Sequence, residues 1–219
     1  VMVKNYLRSL DLTTAISHVQ YEQNGVHFKR ECFISYPDQV MVIRITADKA
    51  QAIEMKLGLT SQLRNKVRVG PAAGTDKPDQ VLLQGKAPYY VANRSYDKRQ
   101  VVYDRLRSDA DPFGGKGMTF SVLTKVVAPG GQLKATDSLL EISGADTVTI
   151  YLTESTSYNG PGRSPSSQGL DAEKIARSRM AAALKKGYRA LRQAHIKDYR
   201  HLFGRVDFWL ADAPGTMQK

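Results

Sequence analysis

The sequence predicts a mainly β fold: a layered sandwich body, then a helical connector, then one strand that returns to the body. Three observations carry this. From Ala15 to Tyr151, short runs of alternating apolar and polar residues are separated by turn signals, at the roughly eight-to-twelve-residue spacing of β-sandwiches. After the linker-like stretch "NGPGRSPSSQG" the period changes to that of a helix. Finally "RVDFWL" alternates again, with Val206, Phe208 and Leu210 on one side.

Each element can be justified in turn. "AISHVQYEQ" sets Ala15, Ser17, Val19 and Tyr21 against more polar neighbours. Asn24-Gly25 follows, the dipeptide that most readily takes both positive-φ positions of a type I′ turn. "VHFKRECFIS" is the second arm of this hairpin, with Val26, Phe28, Cys32 and Ile34 expected on the core side. Pro37 has no amide hydrogen, so the ladder breaks and "YPDQ" makes a corner. "VMVIRI" is apolar on both faces, as a strand between two layers must be. "AIEMKLGLT" places Ile53, Met55, Leu57 and Leu59 on one side, with Glu54 and Lys56 on the other. Residues 64–80, with Gly70-Pro71, Gly74 and Pro78, are expected to form a polar loop. Short strands are expected at Val81–Gly85 and Tyr89–Val91, and a stronger one at "MTFSVLTKVV", closed by Pro129-Gly130-Gly131. "LKA", "SLLEIS" and "TVTIYLTEST" complete a meander. In the helical segment Ile175, Ala176, Met180, Ala183, Leu184, Tyr188 and Leu191 share one stripe. Asp171 is placed to cap its N-terminus, Gly187 to break it into two helices, and Phe203-Gly204 to end the second.

Composition narrows the function classes. With 219 residues, 42% apolar and 24% charged, the chain can bury a sizeable core. No run is long and apolar enough for a membrane span. The N-terminus "VMVKNYLRSLDL" has neither the apolar core nor the cleavage site of a signal peptide. A single cysteine rules out an internal disulfide and a cysteine-rich zinc site, and Cys32 reads as strand packing. The net charge of +11 does not point to nucleic acid. Ten of the 32 basic residues lie between Asp171 and Arg205, the rest are scattered, and no nucleic-acid-binding signature is present.

Chemistry-bearing residues are few. A glycosidase needs two carboxyls flanking the scissile bond, but the acids here are scattered. Glu31 and Glu154 sit in strands and read as cross-strand partners for Arg or Lys. "DADPFGGKG", 109–117, lacks the ligand spacing of a calcium loop and reads as a turn. The histidines at 18, 27, 195 and 201 show no metal spacing, and no Gly-x-Ser-x-Gly elbow or phosphate-binding glycine loop is present. No catalytic residue, metal site or cofactor is assigned.

Three runs taken together resemble a known family. "YLRSLDLTTAISHVQYEQNGVHFKRECFISYPDQVMVIRITA", "GMTFSVLTKVVAPGGQLKATDSLLEISGADTVTIYLTESTSY" and "KKGYRALRQAHIKDYRHLFGRVDFWL" are similar, in this order, to the N-terminal β-domain and helical linker of glycoside hydrolase family 95, the inverting α-L-fucosidases and their α-L-galactosidase relatives. The Arg-Glu-x-Phe-x-Ser-x-Pro-Asp and His-x-x-Asp-Tyr-x-x-Leu-Phe matches carry most of it. Maltose- and trehalose-phosphorylase-type enzymes are resembled more weakly.

The resemblance implies a galactose-mutarotase-like β-supersandwich with a C-terminal pair of linker α-helices and a returning strand. It divides the chain into an incomplete sandwich body over 1–158, a Gly/Pro/Ser linker over 159–170, linker helices over 171–204 and, over 205–219, the returning strand and the start of a connection to an (α/α)6 barrel. That barrel would hold the catalytic residues, so none is carried over. The implied role is support of the barrel and one wall of the substrate cleft, in a parent hydrolysing terminal α-L-fucosyl or related bonds on fucosylated or L-galactosylated glycans. "TESTSYNG" supplies the residues expected nearest the substrate: Thr156, Tyr158 and Asn159. The alternative is a stand-alone carbohydrate-binding module, although the one tryptophan, Trp209, lies in the final strand and not in an aromatic platform. Export of the parent is expected, because signal peptides are common in the family. The family's opening strands, normally upstream of "YLRSLDL", are missing, so the chain reads as an internal slice. Sheet surface left uncovered in this way is expected to make the fragment self-associate.

Overall fold

The computed structural model describes residues 2–71, 75–96, 98–103 and 115–207. The mainly β, sandwich-like architecture predicted from the sequence is the one observed. Thirteen described strands precede a C-terminal helix: β1 (Val3–Asp11), β2 (Ile16–Gln23), β3 (Val26–Ser35), β4 (Val40–Ala47), β5 (Ile53–Leu57), β6 (Arg64–Gly70), β7 (Gln80–Lys86), β8 (Tyr90–Val91), β9 (Val101–Val102), β10 (Thr119–Val127), β11 (Gln132–Ala135), β12 (Leu140–Ala145), β13 (Thr147–Thr156) and α1 (Ala172–Phe203). An eight-stranded antiparallel sheet has the order β1-β2-β3-β4-β13-β10-β7-β6, and a three-stranded sheet has the order β11-β12-β5.

The large sheet is covered on both faces, as the two-sided apolarity of "VMVIRI" requires. Val40 and Val42 join Ile16, Phe33, Leu82, Leu123 and Tyr151 beneath Ala176, Met180, Ala183 and Leu191 of α1. Ile43 and Ile45 point the other way, into a second core formed with Ile53, Leu140, Ile142, Val148 and Ile150 beneath the small sheet. The Asn24-Gly25 turn has φ of 52° and 69°, both positive as the hairpin demands.

The helix also follows its sequence signals. The Asp171 carboxylate accepts a 3.0 Å hydrogen bond from the Lys174 amide, and Gly204 closes the C-terminus. Gly187, at φ 76° and ψ 163°, interrupts the run and divides it into two helical stretches. That backbone region is essentially restricted to glycine.

One strand is added to those expected, and three expectations are corrected. The stretch before Ala15 is β1, an edge strand. Its alternation is broken at Asn5 (φ 52°), where the register with β2 shifts, and nearly all of it is exposed. Residues 64–70 are not loop but β6, the opposite edge. Val67 and Val69 face the second core while Arg64, Lys66 and Arg68 point away, so the charges hid a period-2 strand of the kind that keeps sheet edges from pairing. On β3 the deeply buried ring is Phe33, 2% exposed, while Ile34 is 65% exposed because the small sheet does not reach it. Glu31 is not a ladder partner but reaches across layers to α1. The expected returning strand lies at its Phe208–Leu210 end outside the described residues, as do Trp209 and residues 109–114 of the "DADPFGGKG" turn.

Candidate functional site

A groove of about 760 Å³ lies at one end of the large sheet. Its floor follows from strand register: Ile34, Met41 and Leu152 lie in one cross-strand row, on the face that carries Val81 and the second core. Val122 and Phe120 continue it on β10, and Tyr36, Tyr158 and Leu170 form the rim. Glu154, Ser155, Thr156, Gln39 and Arg179 supply polar groups.

Local chemistry holds these walls. Pro37 forces the chain to turn after β3, and the Gln39 amide and side chain both donate to the Tyr36 carbonyl, at 3.2 and 2.7 Å. Asp38 in the same corner accepts from Ser35 Oγ at 2.6 Å and from Lys186 Nζ at 2.6 Å, tying the corner to the helix. On the opposite wall Ser157 is buried and clamped: its amide donates to Thr119 O at 2.9 Å, and its Oγ accepts from the Thr119 amide at 3.0 Å. Arg179 Nη1 donates to the Glu154 carbonyl at 2.6 Å.

Of the three residues expected near a substrate, the structure brings two into this groove. Thr156 and Tyr158 line it, and the Tyr158 ring is largely exposed. Asn159 does not. Its Nδ2 donates to Gln168 O at 2.7 Å and its Oδ1 accepts from Arg163, closing the linker loop upon itself. Sequence reasoning missed Tyr36, Gln39, Phe120 and Arg179, which are far apart in sequence and meet only through the β3-β4-β13-β10 order. An apolar floor with aromatic rims and a few amide, hydroxyl and carboxylate groups suits a ligand with both a C–H face and hydroxyls.

The other candidates do structural work. Burial raises the Glu31 carboxyl pKa, but hydrogen bonds from Tyr188 Oη and Arg192, together with the Arg192 charge, outweigh this and hold it below the usual range. Asp11 is held at about 2 by hydrogen bonds from Thr14 and Thr13 in the β1–β2 turn. Lys125 pairs with Asp79 at 2.5 Å, Lys56 with Glu141 at 2.8 Å, and Arg177 with Glu173 at 2.7 Å. Burial pushes the half-buried Cys32 thiol up. Buried His195 stacks on Phe33, and its Nε2 donates to the Thr14 carbonyl at 2.9 Å. Among the described residues no group of three or more His, Cys, Asp or Glu is placed to hold a metal.

The chain is 29% identical over 214 residues to "Alpha-L-fucosidase 2" of Arabidopsis thaliana, covering 94% of this chain and 24% of that protein. It is 26% identical over 227 residues to "Probable alpha-fucosidase A" of Aspergillus niger, covering 99% of this chain and 25% of that protein. It therefore spans about a quarter of the length of these curated relatives. A solved structure described as "Putative kojibiose phosphorylase from human microbiome" matches with a TM-score of 0.44 at 14% identity, over 93% of this chain and 25% of that one. The resemblance to the N-terminal regions of α-L-fucosidases is borne out by the two curated relatives. The profile described as "Glycosyl hydrolase family 65, N-terminal domain" matches residues 2–161, the whole sandwich body, and the chain belongs to that family of glycoside hydrolase N-terminal domains.

Proposed function

We propose that this chain is the non-catalytic N-terminal region of a family-95-like glycosidase that releases terminal α-L-fucosyl or related residues with inversion. It supports a catalytic (α/α)6 barrel and lends one wall to the substrate cleft. The observation that carries this reading is the end-to-end match to two fucosidases, each about four times as long as the aligned region. The structure supports it from a second side. The best-placed carboxylates, Glu31, Asp79, Asp38 and Glu173, hold strands, corner and helix together. The wall is assigned to the groove beside Thr156 and Tyr158, where a ring face and a hydroxyl meet an apolar floor.

The test is kinetic. Thr156→Ala combined with Tyr158→Ala in the full-length protein should raise KM for a fucosylated oligosaccharide about tenfold and leave kcat nearly unchanged, the pattern of lost uniform binding. An unchanged KM would remove the groove from the cleft. Absence of α-L-fucosidase and α-L-galactosidase activity in the unmutated full-length protein would overturn the parent activity itself.

A further inference from the structure

Among the described residues, the β8–β9 hairpin stands outside the strand order of both larger sheets. Tyr90 pairs with Val102 and Val91 with Val101, and this two-stranded unit is hydrogen-bonded to neither larger sheet. Yet it concentrates side chains that soluble domains rarely waste on water. Tyr89 is 49%, Tyr90 46% and Tyr96 75% exposed, and Val91 and Val101 are also exposed. Arg94, Lys98 and Arg99 are exposed around them, and the segment from Tyr89 to Tyr103 contains a single acid, Asp97.

The arm is ordered. Tyr89 N donates to Val102 O at 3.1 Å and Ala92 N to Gln100 O at 2.8 Å. Gln100 Nε2 then closes the tip by donating to the carbonyls of Arg94 and Ser95, each at 3.1 Å. At the base, the Arg64 guanidinium lies 4.1 Å from the Tyr103 ring centroid, and the Arg64 amide donates to the Tyr103 hydroxyl. Tyrosines displayed on a hydrogen-bonded hairpin offer contact area at low entropic cost, and Tyr and Arg are the side chains enriched where proteins bind.

We propose that the β8–β9 hairpin is a binding arm for an acidic polysaccharide. Tyr89, Tyr90 and Tyr96 would pack against pyranose rings while Arg94, Lys98 and Arg99 pair with ring carboxylates or sulfates. The hairpin's excess of positive charge selects an anionic chain over a neutral one, and ring faces select a sugar over a bare anion. This site does not depend on the groove or on the activity assigned to the parent.

Isothermal titration calorimetry of the 219-residue chain at about 0.15 M salt tests it. The probes are polygalacturonate, a sulfated galactan and a neutral xyloglucan. Binding to either acidic polymer and not to xyloglucan is expected, and which acidic polymer binds identifies the anionic group. Tyr90→Ala with Tyr96→Ala, which removes no charge, should weaken binding roughly tenfold, equivalent to about 1.4 kcal/mol. Arg94→Gln with Lys98→Gln and Arg99→Gln should do at least as much. Lys174→Gln with Lys185→Gln and Arg189→Gln on the exposed helix surface removes the same charge and should change affinity less than twofold. All of these positions are exposed, so unchanged melting temperatures are expected and confirm folding. Equal losses from the helix and hairpin charge variants, with none from the tyrosine variant, would reduce the binding to net-charge attraction and overturn the proposal. Absence of heat with both acidic polymers would overturn it as well.

Discussion

The two faces of the large sheet are closed by different means. On one face α1 is fastened through polar anchors. Tyr188 Oη and Arg192 bind Glu31, Lys186 binds Asp38, Thr153 Oγ1 donates to Ala176 O at 2.9 Å, and His195 binds Thr14 O. Arg44, 4.6 Å from the Tyr188 ring centroid, also donates to Thr149 Oγ1. On the other face the small sheet sits on a core that is almost wholly apolar and stops short of Ile34. The difference is instructive. A single helix crossing a sheet can slide or rotate unless directional bonds fix it, whereas a hydrogen-bonded sheet is already rigid and needs only a matching apolar surface. What it leaves uncovered becomes the candidate groove.

The largest effect that could break this comparison is a truncation on each face. Leu191, fully buried on the sheet-facing side of α1, should cost roughly 2–5 kcal/mol on replacement by alanine, because a cavity adds to the lost transfer energy. Ile34→Ala, on the uncovered part of the opposite face, should change stability by less than about 0.5 kcal/mol. Urea melts of both variants check this. Comparable losses would mean that Ile34 is covered in solution and that the cover of the second face extends to the groove.

A smaller effect sharpens the role of the polar anchors. Glu31→Gln keeps the shape but loses charge-assisted bonds to Tyr188 and Arg192, and should cost roughly 1.5–3 kcal/mol near neutral pH. The sign of the pH dependence follows from linkage. The folded-state pKa of Glu31 lies below its unfolded value, so its contribution is fully present above the unfolded value, near pH 4.5, and disappears as pH falls through the lower folded value. At the alkaline end Tyr188 is raised to about 12, chiefly by burial and then by Glu31. Its contribution therefore holds below about pH 10 and is lost as pH rises toward 12. Thermal melts from pH 3 to 7 should show a shallower acid limb for Glu31→Gln than for the parent chain. Parallel acid limbs would show that the helix is held by its apolar stripe alone.

How far the sequence could be read follows the same division. The Asn24-Gly25 hairpin, the two-faced strand at Val40–Ile45, the Asp171 cap and the Gly187 break were all legible because each is set by local residues. β1 and β6 were not. One is exposed along nearly its whole length and broken at Asn5, and the other carries Arg64, Lys66 and Arg68 among its alternating residues. Edge strands dilute the apolar alternation by which strands are recognised. The facing of Ile34 and Phe33 depended on which layer covers which rows, and the partner of Glu31 depended on where a helix far along the chain would lie. The candidate site was half legible for the same reason. Thr156 and Tyr158 were singled out by their own chemistry and line the groove, but Tyr36, Gln39 and Arg179 reach it only through long-range pairing.

The smallest expected effect concerns the uncovered surface at the β1 edge. β1 has a hydrogen-bonded neighbour on one side only, and Leu7, Leu10 and Leu12 are exposed along and beside it. An unprotected edge with apolar side chains favours pairing with a second copy, while a net charge of +11 repels one. Salt screens the repulsion, and burial of the leucines is not weakened by it, so association should strengthen as ionic strength rises. Sedimentation velocity at micromolar concentration should show mostly monomer in dilute buffer and a growing dimer fraction in about 0.5 M salt, where the Debye length falls to a few ångströms. Leu10→Lys places a charge on the edge and should keep the chain monomeric under both conditions. A parent chain that stays monomeric throughout would show that the bulge at Asn5 already protects this edge, and that neither edge of the large sheet invites a partner.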